Sequence, residues 1–437
     1  MALLFMLMAG LAAGSDTRPA SAEEATEPTE RFPAVEWNQR GTHVVWVPNS
    51  RAPTGRIILS FPVGRDMDWF EANHGTDALW WASHDTDGAL QRRASELAID
   101  VRPSVGRRWS TLGVGFLVED LEAVREWLGD VLANEDYDRK RLKRARKEAA
   151  LSYEETRKSP RTQQFRAAFE GLFAEPTDPR VRVYTDQRDV SIDPEHLAAT
   201  KSQIAALPGR MVGVAGDLNE DQVRSIVDLL PPVATLPDGI EPTYAEPIPR
   251  PTRPARQTVE LKNLSQVYLL AYRDSPTVTD PDRTALTIAN HVLGGHFYSR
   301  LYVALRHETG QTYAAAAAAR HWHVPMLQYV STFTRTDNAD VAEQTLLETL
   351  RRFHQAGITE QERADAVSYF QGRQAFARMN PSQTLSERLR ELQLGVPRGD
   401  WRRRVEAMST LSVSEVNAVI ARRFDPDSFT LVRVEPR

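Results

Sequence analysis

The sequence predicts an α+β fold: two homologous α/β sandwich domains, each a sheet covered by helices on one face. Three observations predict it. Each half runs strand, helix, amphipathic helix, turn, long helix and returning strand. A proline-dense stretch separates the halves. Two boundary features also recur at one spacing, because Tyr137 to Ile358 and Pro160 to Pro381 are both 221 residues apart. Equal offsets at two features argue for duplication. At 437 residues the chain can hold two domains with substantial cores.

Ala2 to Ala13 is apolar and is followed by Ala20-Ser21-Ala22, the small-residue pattern of a cleavage site before Glu23. Residues 1–22 therefore read as a signal peptide. The missing positive n-region points to a start inside a longer signal. The apolar run is too short to span a bilayer, so no stable membrane anchor is expected. Residues 23–35 are acidic and rich in Pro and Thr, a flexible leader. The first domain, 36–230, begins with the apolar strand Arg56 to Val63 and a helical segment from about Asn73. Leu121, Val124, Leu128 and Leu132 make Asp120 to Leu132 an amphipathic helix. Tyr137-Asp138 opens a long helix that reaches Ser159-Pro160, and Met211 to Gly216 is the returning strand. Residues 231–257 form a Pro-rich linker. The second domain, 258–437, repeats the plan with a strand at Gln266 to Arg273 and a helix from about Asp282. An amphipathic helix follows at Ala339 to Phe353, then a long helix from Ile358-Thr359 to Asn380-Pro381, then a strand at Phe429 to Val434.

Hydrophobic residues make up 41% of the chain and charged residues 26%, the balance of a soluble globular protein. The net charge of -5 disfavours nucleic acid as a partner. With no cysteine there is no disulfide framework, no thiolate zinc ligand and no cysteine lipid anchor. Avoidance of cysteine fits an oxidising compartment, and a periplasmic or secreted location is the expectation.

The chemistry concentrates in Asn290 to Tyr313, NHVLGGHFYSRLYVALRHETGQTY. It reads as a helix, a break at Gly294-Gly295, a second helix N-capped by Ser299, and a turn at Gly310 into a small-residue strand, Ala314 to Ala319. Arg306 closes the helix and Tyr313 opens the strand, so a guanidinium and a phenol can converge on one point. Both donate hydrogen bonds, and neither changes charge at neutral pH, which suits a developing oxyanion. Leu293-Gly294-Gly295, Ser299-Arg300-Leu301 and Leu305-Arg306-x-Glu308-x-Gly310-x-x-Tyr313 together resemble the second domain of the pitrilysin/insulinase family of zinc peptidases. The likeness extends more loosely over most of residues 40 to 437. It implies two similar domains per chain, arranged to form a clamshell. It also implies that Arg306 and Tyr313 face the scissile carbonyl.

The family's zinc motif, H-x-x-E-H, is absent from the sequence. Its two His lie four residues apart on one helical face, and the Glu beside the second can activate a metal-bound water. The resemblance places the motif on Ala78 to Ala82, so that Ala78 and Ala82 replace the ligands and Trp81 the base. Glu154 or Glu155 lies near the position of the downstream ligand but reads as a solvated helix residue without the His pair. A relocated site would draw on His74, Asp77, His84 and Asp85, yet His74 and His84 are ten residues apart on one helix. His321-Trp322-His323 puts two His on one face if it is a strand, and reads more readily as a strand end or turn. His291 and His296 flank the Gly-Gly break, either near a cavity or as helix caps.

The resemblance therefore implies a non-zinc-binding subunit of a heterodimeric zinc metallopeptidase, with no cofactor of its own and zinc in a homologous zinc-bearing partner. Arg306 and Tyr313 are the candidate catalytic residues, a peptide the substrate, and the isolated chain is inactive. The alternative is a catalytically inactive peptide-binding or scaffold protein. A homomeric enzyme with a relocated metal ranks last.

Overall fold

The computed structural model describes residues 32–64, 87–173, 194–234, 255–323, 325–377 and 379–437, together with residues 178 and 181. The leader to residue 31, the segment with Ala78, Trp81 and Ala82, the relocated-site candidates His74, Asp77, His84 and Asp85, and most of the linker lie outside them.

In the first half, β1 (Val35–Gln39), β2 (Thr42–Pro48) and β3 (Thr54–Phe61) precede α1 (Ala89–Glu96). Next come β4 (Asp100–Val105), β5 (Ser110–Leu117), α2 (Leu121–Ala133), α3 (Arg139–Lys158) and α4 (Pro160–Leu172). α5 (Pro194–Ala205), β6 (Met211–Gly216) and α6 (Glu220–Val227) complete it. The second half runs β7 (Arg256–Leu261), β8 (Gln266–Asp274), α7 (Arg283–Gly294) and the short helix α8 (Arg300–Tyr302). β9 (Ala315–Ala319), β10 (Leu327–Arg335), α9 (Ala339–Ala356), α10 (Glu360–Ala377) and α11 (Pro381–Leu394) follow. α12 (Asp400–Thr410), α13 (Val413–Arg423) and β11 (Thr430–Pro436) close the chain.

The strand order is β1-β2-β6-β3-β5-β4 in the first sheet and β7-β11-β8-β10-β9 in the second. Setting β2 against β7 makes the orders identical, with β1 added at one edge. In both sheets the pair at that end, β2 with β6 and β7 with β11, is parallel, and the pairs beyond it are antiparallel. The predicted pair of homologous sandwiches is therefore the observed architecture. The local signals behind it are physical. Ser159 and Asn380 occupy N-cap positions with Pro160 and Pro381 as first helical residues, and each cap side chain accepts a backbone N–H. A proline at that place ends one helix and starts the next on a new axis.

That restart changes the layering. Helices are predicted on one face of each sheet, but both faces are covered. α4 leaves its own half and packs on β11, β8 and β7, while α11 packs on β2 and β6. Phe169 and Leu172 of α4 share a buried cluster with Leu270, Tyr272 and Val432. Leu385 and Leu389 of α11 share another with Val45, Val47 and Met211. The swap was hidden because the pattern shows that a helix has an apolar face, not whose sheet meets it. Two glycines make the room. A Cβ on Gly213 of β6 would lie 2.7 Å from Leu389, and one on Gly171 of α4 only 2.0 Å from the Tyr272 hydroxyl. Glu36 of the first half clamps α11 by accepting two hydrogen bonds from Arg388, at 2.7 and 3.0 Å. Burial, the largest single influence, raises the Glu36 pKa, but the hydrogen bonds and charges of Arg388 and His43 together outweigh it, and the carboxyl titrates below its usual range.

Candidate functional site

α7 lies against the edge strand β9 at very close range. A Cβ on Gly294 would meet the Ala317 nitrogen at 2.3 Å, so this glycine serves helix–strand packing. Gly295, with φ of -89°, needs no special conformation, and the break after it leads to Ser299. Ser299 holds the N-cap position as expected, but its side chain makes no cap hydrogen bond and its buried hydroxyl has no partner among the described residues. The second helix is a single α-turn that widens into a π-helical turn, Val303–His307. Glu308 N–H donates to the Val303 carbonyl at 3.0 Å, the wide register that defines the turn. Gly310 then reverses the chain with φ of +63°.

Tyr313 does not open the strand. It sits two residues before β9 in a loop fixed by threonines. The Thr312 hydroxyl donates to the Ala314 and Phe333 carbonyls at 3.0 and 2.5 Å, and Thr332 also reaches the Ala314 carbonyl at 2.9 Å. Arg306 and Tyr313 are brought together, though through the backbone. An Arg306 Nη donates to the Tyr302 hydroxyl at 2.8 Å, and the Tyr302 hydroxyl donates to the Tyr313 carbonyl at 2.7 Å. The same Nη lies 3.4 Å from that carbonyl. The Tyr313 side chain is 76% exposed, and its phenol makes no hydrogen bond to a described residue. Arg306 is exposed as well, with its remaining donors uncommitted among the described residues. The corner thus presents a guanidinium aimed by Tyr302 beside an exposed phenol, and the two do not bond each other. Tyr302 was missed in the sequence, although its place one turn before Arg306 was a usable signal.

The other candidates resolve into packing. His291 is buried, stacks on Tyr369 with ring centroids 4.4 Å apart and lies 4.6 Å from His296. Burial above all, then the His296 charge, depresses the His291 pKa to about 4, which keeps it neutral. His321-Trp322-His323 lies in the loop after β9 rather than in a strand. The His321 ring bonds the Pro276 carbonyl at 2.9 Å, and burial pushes its pKa down to about 4 as well. Glu154 pairs along α3 with Arg157 and Lys158. Among the described residues no group of three His, Asp or Glu could hold a metal ion. Ala78, Trp81 and Ala82 offer no donor atom where the family's zinc ligands and base would stand, so these residues do not fit the metal.

A second feature lies around the far end of β9. A cavity of ≈ 1270 Å³ opens between the β4–β5 hairpin and the second half. Arg283, Thr287 and His291, at helical spacing, present one face of α7 to it, and faces of α10, α11 and α12 complete the wall.

Residues 206–369 match the family model described as the peptidase M16 inactive domain. No curated protein matches the sequence. Among solved structures, an M16 inactive domain from Pseudomonas fluorescens is 17% identical, with a TM-score of 0.78 over 93% of this chain and 98% of that one. A protease from Helicobacter pylori is 15% identical, with a TM-score of 0.80 over 93% of this chain and all of its own. The periplasmic protease PqqL from Escherichia coli is 14% identical with a TM-score of 0.73; 98% of this chain covers 49% of that one. The likeness to the pitrilysin/insulinase peptidases read from Asn290 to Tyr313 is borne out, and the fold is theirs. No described helix is long and apolar enough to cross a membrane.

Proposed function

We propose that this chain, with the fold of the M16 peptidases and an M16 inactive domain at residues 206–369, is the zinc-less subunit of a two-chain peptidase. The observation that carries the proposal is the Arg306–Tyr302–Tyr313 corner, built with free donors in a chain whose Ala78, Trp81 and Ala82 offer no metal ligand. Arg306 and Tyr313 donate hydrogen bonds to the oxyanion formed when the scissile carbonyl of a bound peptide is attacked. A zinc-bearing homologue supplies the metal, the water and the base. Tyr302 is a positioning residue that aims the guanidinium. The peptide adds as a strand to the outer edge of β9, which has no partner strand among the described residues and carries only alanine methyl groups. The apolar run Ala2 to Ala13 and the small-residue site before Glu23 support a periplasmic or secreted location.

Mixing the purified chain with a zinc-bearing M16 homologue tests the assignment. A one-to-one complex that hydrolyses peptides, where this chain alone holds no zinc and cleaves nothing, is the expected result. Stoichiometric zinc and hydrolysis by the chain alone would overturn it. The rival reading is a peptide-binding or scaffold protein without catalysis. It is supported by the matched domain's description as inactive, and it requires that replacing Arg306 leaves the activity of any complex unchanged.

A further inference from the structure

Among the described residues, seven arginines and three carboxylates line the cavity beside β9, and no lysine does. The arginines come from nearly every wall: Arg283 on α7, Arg320 after β9, Arg373 on α10, Arg390 on α11 and Arg404 on α12, with Arg107 and Arg108 from the first half. The carboxylates are already engaged. Asp400 pairs with Arg283 at 3.0 Å, Glu391 with Arg388 at 3.2 Å, and Glu387 has a partner of its own. Arg404 finds only neutral oxygens, donating to the Thr287 hydroxyl at 2.7 Å. Arg320, Arg373 and Arg390 have no ion-pair partner among the described residues. The Nε groups of Arg283 and Arg404 are buried without an acceptor among the described residues, and Arg283 is only 9% exposed. Arg320, Arg373 and Arg390 are exposed to the cavity's solvent, and like charges gathered around one cavity make a positive potential that attracts an anion.

We propose that the cavity binds the carboxylates of an acidic peptide segment. The anionic part of this inference rests on the cavity alone, while the peptide part rests on the peptide-binding reading above. Three features favour a chain with several separated charges over one compact anion. The guanidiniums stand on five or more separate elements instead of converging in one nest of backbone N–H groups. Trp109, Trp322, Phe370 and Trp401 line the same cavity and offer apolar surface to the segment between its charges. Ala317 to Ala319 of the edge strand also line the cavity, so a peptide paired along β9 runs from the Tyr313 corner into the arginines. The strand's five residues cover about 16 Å at roughly 3.3 Å each. Protonation equilibria agree with the geometry. Burial and then the Arg283 charge lower the pKa of Arg390, and the same two causes push Arg404 down to about 10.

The test uses the full chain alone with fluorescein-labelled, end-capped hexaglutamate and hexaglutamine, read by fluorescence anisotropy, with inorganic triphosphate as competitor. Hexaglutamate is expected to bind one-to-one, at least about tenfold tighter than hexaglutamine, and to weaken as salt is raised. The double variant Arg373→Gln/Arg390→Gln removes two unpaired guanidiniums and no internal ion pair, so it should keep its melting temperature. It should lose about tenfold in hexaglutamate affinity. Equal affinity for the two peptides, or an unaltered affinity in a folded double variant, overturns the proposal. Binding of triphosphate without hexaglutamate overturns the peptide assignment. The measurement needs neither zinc nor a partner, so an inactive complex leaves it standing, and absent binding leaves the Arg306 reading standing.

Discussion

Strand for strand, β2-β6-β3-β5-β4 of the first half is laid out like β7-β11-β8-β10-β9 of the second, yet the two halves have kept different things. The first has Ala, Trp and Ala at positions 78, 81 and 82, residues that cannot ligate a metal or act as a base. The second retains a corner in which Tyr302 holds Arg306 against the Tyr313 backbone, and an arginine-lined cavity alongside. A fold can shed the chemistry of one half because the halves are tied together by packing and not by the site. α4 and α11 are exchanged across the duplication, so each sheet completes the core of the other.

The largest expected effects come from breaking that exchange. Leu385→Ala on α11 should cost about 2–5 kcal/mol and Phe169→Ala on α4 about 3–5 kcal/mol, because both side chains are buried in clusters shared by the halves. Either substitution should move one common urea transition. If the halves unfold in two separate steps, the exchange does not couple them. Acidification comes next. His291 and His321 have native pKa values near 4, well below the 6.5 of an unfolded histidine. The unfolded chain therefore binds more protons, and stability is lost as pH falls from about 6.5 toward 4, by roughly 1.4 kcal/mol per unit for each histidine. The variants His291→Gln and His321→Gln should flatten the dependence of melting temperature on pH. An unchanged slope would mean that these rings are not buried neutral.

Removing Arg388 should cost about 2–3 kcal/mol, since it strips the half-buried Glu36 carboxylate of two charge-assisted hydrogen bonds. The Glu36 share of stability is present above the ordinary carboxylate pKa and fades as pH falls through its depressed native value. The smallest difference separates serines at the N-cap positions of two helices, Ser159 before α4 and Ser299 before α8. Ser159→Ala should cost about 1 kcal/mol, because its hydroxyl accepts the Thr162 N–H at 3.1 Å. Ser299→Ala should change stability by less than about 0.5 kcal/mol, because its hydroxyl has no partner among the described residues to lose. Equal losses at the two sites would contradict the absence of a cap at Ser299.

Much of this was legible in the sequence. Pro160 and Pro381 announced both helix restarts, because proline at a first helical position is a local steric fact. Asn290 to Tyr313 carried its motif in one continuous stretch. What stayed hidden depends on contacts distant in sequence. Nothing local says that Leu389 will meet Gly213, or that Arg283, Arg390 and Arg404 will face one cavity. The π-turn at Val303–His307 was read as ordinary helix because its apolar spacing is nearly the same, although the wider turn carries Arg306.

The proposed activity rests most directly on Arg306 and Tyr313. Steady-state peptide hydrolysis by the complex with a zinc-bearing homologue, measured with Arg306→Ala and with Tyr313→Phe at unaltered assembly and zinc content, decides it. The expected result is a fall in kcat on the order of a hundredfold for each variant, with KM little changed, as loss of one oxyanion donor gives. Full kcat in both variants would contradict the account and leave a scaffold that kept the fold of a peptidase without its chemistry.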